Sequence, residues 1–401
     1  MGIGMYEIGS EFHFEKNNVR ENLIEVFEHA ASKSGRNVAF LRCGRDAIGF
    51  VADDIIAKME DAGDDSLGKK VFLPALSCDS MVRPFEVRGF DVSFYRLKED
   101  LTVDTEYLIS EMGKVTDNSK LSVLFMNFYG IADTTEASKA VRESFANAAI
   151  IEDVTHILLE PEKYLETDKA AYVDYHVGSI RKWLGVPDGA LAISKDEFVM
   201  GALTGETDFS LLRMEALKEK TQYLDNGDEE LKVHFRKLLS DAEDSLSDGL
   251  DPYHMSDESA EYLKSIDALY MSEKRAMNYH NLYSMLKALP IYGKAFRLLK
   301  EEDYEEFTPF MLPIVLDIDF MRRSAITEEG KTITRDGFEK VLASKGVYAP
   351  VLWPISEEAA KTCPVSESFA DKMLAFWIDQ RYNRFDMERI CEVLDESLAQ
   401  I

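Results

Sequence analysis

Two residues in this chain have the types and settings for covalent chemistry on a carbonyl. Lys182 ends the stretch Gly178-Ser179-Ile180-Arg181-Lys182, and Asp153 ends the apolar run Ile150-Ile151-Glu152-Asp153. Ile180, Trp183 and Leu184 flank the lysine with apolar side chains. Such surroundings are expected to desolvate the amine partly, lower its pKa and let it attack a carbonyl carbon. An acid at the end of an apolar strand is costly to bury unless a cation faces it. A carboxylate and a lysine so placed can face each other across an aromatic cofactor. The plainer alternatives are a solvated surface lysine and a helix N-cap aspartate.

Neighbouring residues fit a phosphate-bearing ring. Ser179 lies three residues before Lys182 and can offer its hydroxyl to a phosphate, and Arg181 can add charge or face solvent. In Leu41-Arg42-Cys43-Gly44-Arg45-Asp46 a strand pattern ends, a glycine follows and a helix pattern begins. A helix N-terminus there would bind phosphate through free backbone N–H groups, with Gly44 allowing close approach and Arg45 assisting. His156 lies three residues past Asp153 and can contact the ring or its oxygen, or serve as a hydrogen-bonded interior histidine. Pyridoxal phosphate needs this set: Asp153 against a ring cation that keeps the ring an electron sink, and Lys182 on its aldehyde. Ser-x-x-Lys also occurs in serine hydrolases, but their further partners are missing.

The elements that must position these groups are legible as alternating patterns. Strands are expected at 38–41, 70–73, 92–95, 121–128, 149–152, 173–177 and 190–194, with helices at 45–59, 79–88, 104–112 and 136–146 between them. Strands alternating with helices predict βαβ units and a mainly parallel sheet. Ligands on such sheets sit beyond the carboxyl ends of the strands, where Asp153, Asn127 and Ser77 fall. Residues 209–288 read as long, charged helices: a connector, a dimer-forming arm or a lid. Beyond Pro290, strands at 311–318 and 348–353 and helices at 334–344 and 385–399 predict a smaller α+β portion. The expected division is 1–205 as the large α/β domain, 206–288 as a helical connector and 289–401 as the small C-terminal α+β domain.

The bulk numbers exclude several classes. At 401 residues the chain can bury about two domains' worth of core. Its net charge of −28 repels nucleic acid and anionic membrane, so any phosphate ligand must be held by a local positive site. Four cysteines without Cys-x-x-Cys spacing predict neither a zinc site nor a disulfide framework. No signal-peptide pattern opens the chain and no apolar run reaches membrane-spanning length, so the expected compartment is the cytoplasm. No Gly-x-Gly-x-x-Gly follows a strand, which disfavours a nicotinamide-binding fold.

In combination these residues resemble the fold-type-I pyridoxal-phosphate enzymes, and more narrowly the DegT/DnrJ/StrS group of sugar aminotransferases. The likeness is densest at Cys43-Gly44-Arg45-Asp46-Ala47, Leu73-Pro74-Ala75-Leu76-Ser77-Cys78, Ile151-Glu152-Asp153-Val154-Thr155-His156 and Gly178-Ser179-Ile180-Arg181-Lys182. Tyr348-Ala349-Pro350-Val351-Leu352-Trp353-Pro354 and Asp379-Gln380-Arg381-Tyr382 look like that group's C-terminal domain.

By that resemblance Lys182 bonds the pyridoxal 5'-phosphate aldehyde and Asp153 pairs with the pyridine nitrogen. Ser179 and the Gly44 and Arg45 amides hold the phosphate. His156 stands where the group often has glutamine, and Asn127 reaches toward the ring oxygen. Cys78 takes the ring-stacking position, where the group usually has an aromatic side chain. The resemblance implies a homodimer that moves an amino group from an amino donor to a keto acceptor such as a nucleotide-linked keto-sugar. Another pyridoxal-phosphate reaction, such as a lyase or dehydratase, and a noncatalytic α/β binding module are the alternatives. Arg381 is a candidate anion contact or a structural salt bridge.

Overall fold

A computed structural model describes residues 7–15, 19–61, 69–117, 120–246, 251–300, 306–324, 334–351 and 353–399. Seven strands form the main sheet: β1 (Asn37–Leu41), β2 (Lys70–Pro74), β3 (Asp91–Tyr95), β4 (Leu121–Met126), β5 (Ala149–Asp153), β6 (Tyr175–Ser179) and β7 (Ala190–Ser194). Their order is β1-β7-β6-β5-β4-β2-β3. All neighbours are parallel except β7, which runs antiparallel to both β1 and β6. Every residue of β4, β6 and β7 is buried. Helices cover both faces of such a sheet, which is why these strands read as continuous apolar runs without alternation.

The strand register sets the site. Leu41 pairs with Ala190, and Ala190 pairs with Ser179 on its other side. The end of β1 and the end of β6 therefore lie level across β7. Met126 pairs with Asp153, and Asp153 with Val177. Asp153, Ser179 and the turn after Leu41 thus emerge at one edge of the sheet.

The Gly44–Asp61 helix starts at that edge and packs back over β6 and β7. Helices Asp208–Asn226 and Glu229–Ser245 form a hairpin. Gly227 closes it in the left-handed conformation at φ 70°, where a side chain would be strained. Asp228 caps the second helix by accepting from Glu230 N–H.

A second sheet of β8 (Phe296–Leu298), β9 (Leu312–Leu316) and β10 (Met373–Phe376) is antiparallel in the order β10-β9-β8. The Ala268–Ala288 helix packs against β9 and against the closing Arg384–Ala399 helix. One apolar core runs continuously from the main sheet to this smaller one. The chain's start also joins the C-terminal part: Ile8 exchanges backbone bonds with Gly346 and Tyr348 at 2.8 Å each.

The strand expected at 348–353 is not formed. The described residues there are irregular, and only Val347 makes an isolated bridge, to Ile8. Pro350 and Pro354 lack the N–H that a ladder needs, so the segment makes only single backbone bonds, Tyr348 N–H to Ile8 O and Ala375 N–H to Pro350 O, and no strand. Leu352 lies outside the described residues. The Leu23–Lys33 helix, β8 and β10 were not anticipated by the pattern. β8 and β10 are only three and four residues long, too short to show a period.

Candidate active site

A cavity of about 60 Å³ opens at the carboxyl edge of the main sheet. Gly44, Arg45, Cys78, Asp153, Ser179 and Lys182 line it, brought from four separate segments of the chain. Arg181, Thr155, Glu243, Leu246 and Trp353 also face it.

Asp153 is 6 % exposed and forms no ion pair among the described residues. Its Oδ1 accepts from Thr155 N–H at 2.9 Å. Burial raises its pKa, while the Thr155 hydrogen bond and the charge of Lys182 oppose the rise without cancelling it. A buried carboxylate in this state is stabilised by any cationic ring nitrogen placed before it.

Lys182 sits at the cavity mouth and is exposed. This corrects the expectation of a desolvated lysine. A 3-10 turn over Ile180–Lys182 turns Ile180 and the following Trp183 into the core, which leaves Lys182 pointing out. Its Nζ stands 5.7 Å from the Trp353 ring centroid, within cation–π range. Trp353 comes from the segment once expected to be a strand. Its indole N–H is buried without a partner.

The lysine turn is pinned on both sides. Trp183 Nε1 donates to Thr155 O at 2.7 Å, and Ser179 N–H donates to Thr155 Oγ1 at 3.1 Å. From the Ala268–Ala288 helix, Arg275 Nη2 donates to Trp183 O at 2.7 Å and its guanidinium lies 4.4 Å above the Trp183 ring. Burial lowers the Arg275 pKa to about 10.

The opposite end of the cavity is positive. Gly44 opens an 18-residue helix, and a Cβ at that position would lie 3.3 Å from the Ser179 Cβ. Backbone and hydroxyl approach this closely only because residue 44 is glycine. The Nε atoms of Arg45 and Arg181 are both buried with no hydrogen-bond partner. Two orphaned guanidinium donors, a serine hydroxyl and a helix N-terminus form a donor set for an anion with several oxygens. Cys43 beside them is a neutral thiol, its pKa pushed up to about 12 by burial and Asp46.

Two expected residues do not line the cavity. Asn127 is buried and spends its Oδ1 on Ala132 N–H at 3.0 Å, shaping the loop after β4. His156 is 2 % exposed, stacked on Phe310 with ring centroids 4.4 Å apart. Its Nδ1 accepts from Tyr129 N–H at 3.0 Å, which leaves Nε2 to carry the proton. Burial and then Lys182 lower its pKa well below the ordinary value, so the ring is neutral. Arg381 is taken up elsewhere: it clasps Asp379 at 2.7 and 2.9 Å and donates to the Ser10 and Glu11 carbonyls.

Thr155, Glu243 and Trp353 were missed as site residues. Thr155 sits within the Asp153–His156 motif and its position was the available signal. Glu243 arrives from a distant segment with nothing in its local sequence to mark it, and Trp353 lies in the Tyr348–Pro354 stretch, which was singled out for its likeness but not for a place at the site.

No group of three or more metal-ligating side chains is found among the described residues, and no helix there is long and apolar enough to cross a membrane. No family model matches the chain, and no curated protein matches it. Solved structures do. The chain is similar to PseC of Helicobacter pylori, an aminotransferase involved in the biosynthesis of pseudoaminic acid, at 11 % identity and a TM-score of 0.61, covering 98 % of this chain and 100 % of that one. It is similar to Spr1654 of Streptococcus pneumoniae, a putative sugar aminotransferase in its PLP form, at 11 % identity and a TM-score of 0.61, covering 98 % and 94 %. It is similar to NtdA of Bacillus subtilis with bound PMP, at 15 % identity and a TM-score of 0.59, covering 97 % and 79 %. The chain has the fold of these enzymes: a mainly parallel sheet flanked by helices, with a smaller antiparallel sheet beside it.

Proposed function

We propose that this chain is a pyridoxal-phosphate-dependent aminotransferase that moves an amino group from an amino acid to a keto-sugar. One observation carries the reading. Buried, unpaired Asp153 and exposed Lys182 line one cavity whose far end holds two buried guanidinium donors without partners. The shared fold with sugar aminotransferases supports it, and so does the PMP bound in NtdA. The sugar as acceptor rests on the names of those neighbours.

The donor set fits the cofactor. The Gly44 and Arg45 amides, Ser179 Oγ and the Arg45 and Arg181 guanidinium groups would hold its phosphate, and Asp153 would face its ring nitrogen. When bound, the cofactor supplies an electron-poor ring able to take up charge released at a substrate carbon. Asp153 would keep a proton at the ring nitrogen, and the cost of burying its own charge would fall with that cation before it. Lys182, on its exposed turn, would hold the aldehyde end of the cofactor and would carry a proton at Nζ to and from the substrate carbon. Thr155 fixes the strand-end backbone that sets Ser179 and Trp183, so both ends of the site share one support. Trp353 covers Lys182 from the C-terminal side.

We assign cofactor binding to residues 1–205, the substrate's outer contacts to 206–288 and 289–401, and the working form to a cytoplasmic homodimer. Size-exclusion chromatography with light scattering tests the last point. For the function itself, purified protein mixed with pyridoxal phosphate should absorb near the violet edge of the visible range. Borohydride should abolish the band and leave the label on Lys182. Glutamate and a nucleotide-linked keto-sugar should then yield 2-oxoglutarate. A colourless mixture with no label on Lys182 refutes the reading.

A further inference from the structure

The anion end of the cavity already contains an anion from the chain itself. Glu243, in the last turn of the Glu229–Ser245 helix, places Oε1 2.6 Å from Arg181 Nη1 and 3.7 Å from Arg213 Nη1. Burial works to raise its pKa, but Arg181, with Arg213 and Arg45, outweighs burial and holds the carboxyl ionised. One residue turn on, the Leu246 carbonyl accepts from Arg45 Nη1 at 3.1 Å. The same hairpin thus answers both arginines that line the phosphate end. Three guanidinium groups meet two carboxylates there, Glu243 and the buried Asp188, so the site keeps an excess of positive charge and two Nε donors without partners.

The space agrees with the charge. About 60 Å³ is far below the roughly 300 Å³ at which small-molecule pockets begin. Glu243 and Leu246 are the wall residues contributed by the hairpin. At this end of the hairpin Cys43, Phe209, Ala242 and Leu246 form a four-residue apolar cluster separate from the main core.

We propose that Glu243 is a built-in competitor for the phosphate site, a carboxylate that occupies Arg181 until a phosphate dianion displaces it and moves the end of the Glu229–Ser245 helix outward. The proposal rests on the reading of this cavity as a cofactor site. A dianion gains more from three guanidinium groups than one carboxylate does, and Glu243, already half-exposed, returns to water at small cost. The device would hold the buried arginines in place before the cofactor arrives and would make cofactor entry and hairpin position a single equilibrium.

The test compares the wild-type chain with Glu243→Gln, each first checked for an unchanged melting profile, with Glu243→Ala as the second variant. Binding is measured by calorimetry for pyridoxal phosphate, for pyridoxal without its phosphate, and for inorganic phosphate. Glu243→Gln should bind pyridoxal phosphate about tenfold or more tightly than wild type and should bind inorganic phosphate more tightly too, while its affinity for pyridoxal stays the same. Amide exchange in the last turns of the Glu229–Ser245 helix should rise when wild type is saturated with pyridoxal phosphate. Equal affinities of the two chains for pyridoxal phosphate, or unchanged exchange, overturn the proposal. A gain for inorganic phosphate without any binding of pyridoxal phosphate sinks the cofactor reading and leaves Glu243 as the anion competitor. Absence of binding by every chain to every ligand overturns both.

Discussion

Asp153 and Glu152 are consecutive acids on β5 that leave the sheet on opposite faces with opposite fates. Asp153 faces the cavity without a cation in ion-pairing range, and burial raises its pKa. Glu152, fully buried, is bound to Lys169, accepts from Thr134 Oγ1 at 2.8 Å and lies 3.6 Å from His176 Nε2. The alternation of a strand makes this difference, since successive side chains point to opposite faces. Two different outcomes follow for the two amides. Asp153→Asn should leave the fold intact and cut turnover about a hundredfold or more, because the group that holds a proton at the ring nitrogen is lost. Glu152→Gln should leave buried Lys169 with only the more distant Asp133 at 3.9 Å as counter-charge and cost about 3 kcal/mol of stability. Steady-state kinetics and urea denaturation on both variants separate the roles.

Gly44 and Ser179 meet across the end of the sheet with no room for another carbon. Gly44→Ala would set a Cβ 3.3 Å from the Ser179 Cβ, tighter than an ordinary contact, and push the helix start from the serine. Affinity for pyridoxal phosphate should fall about tenfold with the melting temperature little changed. Ser179→Ala removes one hydroxyl donor and should weaken the same binding by about 1 kcal/mol. Fluorescence or absorbance titration checks both.

Glu15 supplies a pH dependence that the site does not need. Burial chiefly, with the charge of Asp379, raises its pKa to about 7, against the opposing pull of Arg381, the Gln380 hydrogen bond and Arg275. An acid whose folded pKa lies above its unfolded value of 4.5 stabilises fully only where both states are protonated. Its contribution is therefore present below pH 4.5 and is lost as pH rises through 7. Glu15→Gln should match wild type at the acid end and gain about 1–3 kcal/mol over it by pH 8. Denaturation at pH 4.5 and pH 8 measures the difference. An equal effect at both values would place the cause outside titration of Glu15.

Arg275 tests how far the Ala268–Ala288 helix positions the lysine turn. Arg275→Met would keep bulk over Trp183 but lose donors to the Trp183, Phe310 and Gln380 oxygens. Affinity for pyridoxal phosphate should change little, while the rate of Lys182 labelling by borohydride in the loaded protein falls. Labelling at the wild-type rate would show that Thr155 alone suffices to hold the turn.

The main sheet was legible because its strands are apolar on both faces and bounded by helical patterns. Val38, Leu121, Ile150 and Ala190 each open a run that the structure pairs. Asp153, Ser179 and Lys182 could be picked out for the same reason: each follows such a run, and a chain end of a buried strand has few ways to keep a polar group. Asn127 followed the same rule and was drawn into its own loop instead, because a local hydrogen bond to Ala132 N–H competes with any ligand. The exposed setting of Lys182 was not legible, since a single 3-10 turn decides which way its side chain points.

By itself, the order of residues determined the alternating elements, the parallel character of the sheet and the strand ends from which the chemistry emerges, because these follow from periodicity and local burial. Only the tertiary structure decided that Glu243 and Trp353 share the cavity with Lys182, that Arg381 is spent on Asp379, and that Glu152 is spent on Lys169 while Asp153 faces the cavity without an ion pair. Contacts between distant segments are set by packing of whole elements, and a one-residue change of strand register would exchange those two acids without altering a single local preference.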